Sequence, residues 1–239
     1  DDIVPLTRAD VINVADDQIT LAQFAELSTL DNYARDAEAV AYTLDQAFST
    51  TDGFDPAAVG ELLDNYAIAA DSTLSEIISV DQADTLVNVV EGAANNPLAT
   101  LGWELDDSTQ RLLDNLETPA VVQAQTVTIS DDVISYDDYQ TLLGTLGSAE
   151  NTGSLSLEGT RVLYTLGQAV DNDGPVDDYD IVPDATYERD DLSITDASAT
   201  LTRVENILAG ARSPENPDVD ELFNWTVRDS AAAILDAGD

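Results

Sequence analysis

Any reaction or ligand site in this chain must be built from carboxylates, hydroxyls and amides. There is no His, Lys, Cys or Met. The only basic side chains are eight Arg, set against 48 Asp and Glu. A nucleophilic Ser needs a neighbouring His or Lys to take its proton. The phosphate-binding loop needs a Lys, and the dinucleotide glycine pattern is absent. Histidine and thiolate zinc sites have no ligands to draw on. What remains is a carboxylate pair, as in glycoside hydrolysis, or an all-oxygen cation site. With so many acids, a carboxylate pair singles out nothing. Aromatic residues are 6% of the chain, too few to line a sugar cleft. No Asp-Thr-Gly or Asp-Ser-Gly triplet suggests an aspartic protease. The expectation is a protein that is not an enzyme and has no catalytic residues.

One stretch does carry cation-loop spacing. Ala169–Asp180 reads A-V-D-N-D-G-P-V-D-D-Y-D. In a twelve-residue calcium loop Asp171, Asp173, Asp177 and Asp180 fall at positions 3, 5, 9 and 12, with Gly174 at the turn position 6. Ala169 leaves position 1 without a ligand. Carboxylates this close repel, and Ca²⁺, Mg²⁺ or Na⁺ would relieve that repulsion. Asp52-Gly53-x-Asp55 occupies the corresponding place earlier in the chain. These four Asp are the candidate metal ligands.

Four segments share another form: acidic or polar loop, aliphatic residues, then Ser or Thr opening a helix. They end at Thr20, Ser79, Ser135 and Thr195. Gly153-Ser154-Leu155-Ser156 follows the third at short range. Ser and Thr there are expected as helix N-caps after short strands. The paired loop–helix form resembles the EF-hand and dockerin modules. That resemblance implies cation-ordered loops and an extracellular binding role, the alternative to the reading reached below.

The charge says more about setting than about chemistry. The net charge is −40. In dilute buffer such a surface repels itself. At molar salt the Debye length is only about 3 Å and the repulsion is screened. Replacing every Lys by a few Arg removes long alkyl stems that strong salt would make adhesive. These features point to an extreme halophile, a haloarchaeon or one of its viruses. With no basic stripe to neutralise phosphates, nucleic acid is not expected as a partner. The start Asp1-Asp2-Ile3-Val4-Pro5 reads as a processed end. No apolar run is long enough to span a bilayer. Asn224-Trp225-Thr226 is a glycosylation sequon.

The chain also repeats itself. Trp103 is followed by Asp107, Ser108, Leu112, Leu113 and Asp114, and Trp225 at the same offsets by Asp229, Ser230, Ile234, Leu235 and Asp236. Tyr42-Thr43-Leu44-x-Gln46-Ala47 recurs as Tyr164-Thr165-Leu166-x-Gln168-Ala169. Asp16-Asp17-x-Ile19-Thr20 recurs as Asp131-Asp132-x-Ile134-Ser135, and Asp81, Thr85, Leu86 and Val89 as Asp196, Thr200, Leu201 and Val204. The blocks keep their order, which is how a duplication reads. Two homologous modules are expected, 1–117 and 118–239, with Trp103 and Trp225 at equivalent core positions. A fused dimer with a pseudo-two-fold, or a head-to-tail stack, would both follow.

Periodicity predicts helices over 20–30, 32–48, 56–69, 79–93, 106–116, 135–146, 156–170, 195–211 and 219–237. A Ser79/Gln82 capping box is expected at the fourth. Short extended pieces are expected at 11–14, 76–78, 126–129 and 192–194, and a long loop over 171–191. The fold class expected is mainly α: two homologous helical modules with short β segments before helices. The expected role is a non-enzymatic structural or assembly protein, a virion component, surface filament or cell-surface-layer subunit. Its partners would be proteins, including copies of itself, and its place extracellular, at the cell surface or in a virion.

Overall fold

The computed structural model describes residues 10–35, 38–48, 62–147, 154–172, 175–182, 187–211 and 223–237. In chain order the strands and helices are β1 (Gln18–Thr20), α1 (Leu21–Leu27), β2 (Ala39–Tyr42), α2 (Leu44–Ala47), β3 (Tyr66–Ile68), β4 (Thr73–Ile78), α3 (Val80–Gly92), β5 (Gly102–Asp107), α4 (Thr109–Asp114), α5 (Pro119–Val122) and β6 (Thr126–Ile129). They continue as β7 (Val133–Ser135), α6 (Tyr136–Leu146), β8 (Ser154–Ser156), β9 (Arg161–Tyr164), α7 (Leu166–Asp171), β10 (Tyr179–Ile181), β11 (Tyr187–Leu192), α8 (Ile194–Gly210), β12 (Phe223–Val227) and α9 (Ala231–Ala237).

The recurring block is a short strand that runs straight into a capped helix. The side chains of Thr20, Thr43, Ser79, Ser108, Ser135, Thr165, Ser193 and Ser230 each accept a hydrogen bond from the backbone N–H three residues on. At Thr20, Thr43, Ser79 and Thr165 the residue three on is Gln, whose side chain bonds back to close a full capping box. An extended cap residue followed by a helix reverses the chain within one residue. The next strand then returns parallel to the last, as a helical crossover requires.

By internal contacts the chain forms two compact units, Asp1–Thr128 with Thr145–Ser156 and Ile129–Gly144 with Leu157–Asp239. The first holds sheets ordered β1-β2-β3 and β4-β5-β6-β8. The second holds β7-β9-β10 and β11-β12. The pairings agree in register. Ile19, Val40 and Tyr66 lie opposite one another across the first sheet. Ile134, Val162 and Tyr179 do so across the third. Ile78 faces Leu105 between β4 and β5, and Leu192 faces Val227 between β11 and β12, each after a shift in register. The Tyr66 hydroxyl donates to the Val89 carbonyl at 2.6 Å, and the Tyr179 hydroxyl to that of Ile207 at 2.6 Å. Beside these hydroxyls lie Gly92 and Gly210. A Cβ there would sit 2.9 and 2.4 Å from the phenol oxygen, so only glycine lets the ring reach the helix end.

The expectation of a mainly helical fold is overturned. The described residues are 41% helix and 27% strand, a mixed α/β fold with four parallel sheets. The errors are local and share a cause. Residues 32–48 read as an Ala-rich helix, yet Ala39–Tyr42 is a strand buried at every position. A strand covered on both faces has no alternation to betray it. The helix expected over 156–170 is β8 and β9 followed by α7, and the one over 219–237 is β12 followed by α9. Tyr66–Ile68, in the helix expected over 56–69, is strand β3, while residues 56–61 of that helix lie outside the described residues. The long loop over 171–191 contains β10 and most of β11. The helices over 79–93, 135–146 and 195–211 stand, within a residue or so, as α3, α6 and α8.

Candidate functional site

The acidic loop in the second unit starts inside a helix, since Ala169, Val170 and Asp171 form the end of α7. Asp171 accepts from Arg189 Nη2 at 2.6 Å and from the Tyr187 hydroxyl at 2.8 Å. The Arg189 guanidinium also donates to that hydroxyl and lies over the Tyr187 ring, 5.5 Å from its centroid. Burial is the main reason the Tyr187 phenol is pushed above its ordinary range. Asp180, buried on β10, is ion-paired with Arg161 through Oδ2, while its Oδ1 has no hydrogen-bond partner. Asp177 is exposed, and Asp173 lies outside the described residues. Asp171 and Asp180 thus have separate guanidinium partners, Arg189 and Arg161. Among the described residues no group of three or more Asp or Glu is placed to hold a metal ion.

Among the described residues each unit has an open cleft. In the first, about 520 Å³ lies between the Val14–Ile19 stretch and one side of α1, lined by Gln23, Glu26 and Leu27. In the second, about 590 Å³ lies against α8, lined by Asp177, Tyr179, Arg203 and Asn206. The Arg203 guanidinium is engaged by the Asn172 carbonyl. Asp16 and Glu26 are the carboxylates lining the first cleft, and Asp177 lines the second.

The feature that stands out is the β12–α9 face, because its counterpart shows what it lacks. On β5, Trp103 is 0% exposed. Its indole Nε1 donates to the Ala120 carbonyl of α5 at 2.9 Å. Its backbone carbonyl accepts from Gln125 N at 2.8 Å, just before β6. Leu105 and Leu112 are buried with it. On β12 the matching Trp225 is 40% exposed, Val227 44%, Ile234 48% and Leu235 73%. Trp225 stacks on Phe223 at 5.6 Å between centroids, and Phe223 on Tyr187. Beyond them β12 pairs with β11 alone among the described residues. The expectation that both Trp fill the core therefore holds for Trp103 and fails for Trp225. Local wiring is nonetheless the same. Asp107 Oδ2 accepts from Val80 N at 3.0 Å and Asp229 Oδ2 from Ile194 N at 3.1 Å. Their Oδ1 atoms accept from the N–H of Ser108 and Ser230.

No family model, curated protein or solved structure matches the chain. The β12–α9 face therefore has to be read from its own chemistry. Exposed Trp225 and Val227 on an outer strand, with exposed Ile234 and Leu235 on the helix that follows it, mark an interaction surface. Spacing alone could locate Trp225 but not its exposure, because what covers Trp103 comes from residues 119–125, outside the repeated block. Asn224 of the sequon is exposed on β12 rather than in a helix. Among the described residues no helix is long and apolar enough to cross a membrane.

Proposed function

We propose that this chain is a non-enzymatic structural or assembly protein of an extreme halophile, exported to the cell surface or built into a virion, and that its halves are copies of one ancestral module. The observation carrying this reading is the β12–α9 face: Trp225, Val227 and Ile234 are exposed in the second unit, where the matching Trp103, Leu105 and Leu112 of the first are buried. Such a surface favours association with protein, and brine strengthens apolar contact while screening the like charge of the partners. The excess of carboxylates supports the halophilic setting, and the missing His, Lys and Cys support the absence of catalysis. Light scattering at molar NaCl tests it. Mass should rise with protein concentration and with salt. A particle of constant single-chain mass under all conditions overturns the proposal.

A further inference from the structure

The first unit shows what covers a β5-type edge: α5 and β6, which follow it in the chain. A sequence counterpart of β6 exists elsewhere, near the start of the chain. Thr126-Val127-Thr128-Ile129 leads through Asp131-Asp132 into β7, and Val11-Ile12-Asn13-Val14 leads through Asp16-Asp17 into β1. The structure carries the correspondence further. Ile12 bridges Tyr33 in parallel, as Val127 pairs with Leu155 of β8. Each segment thus gives one edge to the same neighbour. The other edge of β6 carries β5, whereas the other edge of 11–14 carries no strand among the described residues.

We propose that residues 10–14 of a second copy add to β12 as β6 adds to β5, so that chains join head to tail. The inference rests on the self-assembly reading above and names its junction. Backbone directions allow it. Ile12 N donates to Asn32 and the Ile12 carbonyl accepts from Ala34 N, so Val11 and Asn13, by strand alternation, turn their N–H and C=O to the open edge. The side chains that meet at the two junctions can be compared. At the internal junction Gly102 leaves room for Gln125, whose Nε2 would be 2.2 Å from a Cβ there. At the proposed junction the same two places are held by Asn224 and the shorter Asp10. The two side chains are nearly equal in size, and both can hydrogen bond. Each chain carries a net charge of −40, so the junction closes only when salt screens that repulsion.

Sedimentation of the full chain at molar NaCl, over a wide concentration range, tests this with three proteins. Asn13→Pro removes a donor on the open edge and leaves the Ile12–Tyr33 pair intact. Trp225→Asp places a charge on the other face. Val11→Pro replaces the first variant if circular dichroism shows that it does not fold. The wild type should grow in whole-chain steps, each variant alone should stay a single chain, and their equimolar mixture should stop at two chains. Persistent assembly of both variants overturns the junction while leaving the structural role in place. A wild type that never associates overturns both. A single-chain wild type whose Trp225 is shielded from a soluble quencher overturns the second copy as occupant, since the segment then closes on its own β12.

Discussion

Trp103 and Trp225 each sit on a strand whose parallel pairing carries a register shift, before the same Asp-Ser cap and ahead of a helix with an aliphatic pair. Yet one is sealed and the other is 40% exposed. Part of the difference lies outside the repeated block, in the α5–β6 segment whose Ala120 and Gln125 bond to Trp103. A strand–helix block in this fold defines its own turn, cap and hydrogen bonds but not its own burial. Burial comes from the next block along, as in other tandem architectures.

Substituting the two Trp separates these contributions most sharply. Trp103→Ala should cost about 3–5 kcal/mol, the usual penalty for emptying a buried aromatic site. Trp225→Ala should cost less than about 1 kcal/mol in the single chain. Denaturant melts at molar salt measure both, and equal losses would mean that the two sites are alike after all.

Alkaline pH probes matched phenols. Tyr33 is pushed up to about 12, by burial first and then by the Glu38 carboxylate that accepts its hydrogen bond. Tyr66 and Tyr179 are raised by burial. A folded value above the unfolded one favours the neutral phenol. Its contribution is complete below the unfolded value near 10 and disappears as pH climbs through the folded one. Stability should hold to about pH 10 and fall towards 12, followed by phenolate absorbance. Tyr66 and Tyr179 should ionise together with unfolding, as Phe replacement of each in turn would reveal.

Asp107→Ala and Asp229→Ala sharpen the other side of the comparison. Each carboxylate satisfies two backbone N–H groups in the same geometry, so both losses should be about 1–2 kcal/mol and nearly equal. Thermal melts of the two variants check this, and a difference as large as that between the Trp sites would break the local equivalence. Smallest of all, Leu235→Asp should leave the single chain within about 0.5 kcal/mol of wild type, read by the same melts at low protein concentration.

What could be read in advance was whatever is decided within a few residues. The Ser79/Gln82 capping box and the strand at 126–129 are local and appear as expected. So do the helices α3, α6 and α8, whose apolar stripes are long enough to show period. The strands were harder. Ala39, Val40, Ala41 and Tyr42 are all buried, and their composition suits a helix as well as a strand. Parallel partners lie 17 to 36 residues away, so nothing nearby announces the pairing. The acidic loop was judged on spacing, but the Arg partners of Asp171 and Asp180 come from β11 and β9. The exposed face of β12 could be seen only against its buried twin.

The caps have one more consequence. Because each Ser or Thr closes its strand–helix block through a bond three residues away, the signal that starts a block travels with it when the gene is cut or copied. Adding or deleting a complete block disturbs only the two faces it separates. A complete strand–helix block therefore carries its own start signal and shares with the rest of the chain only the faces it packs against.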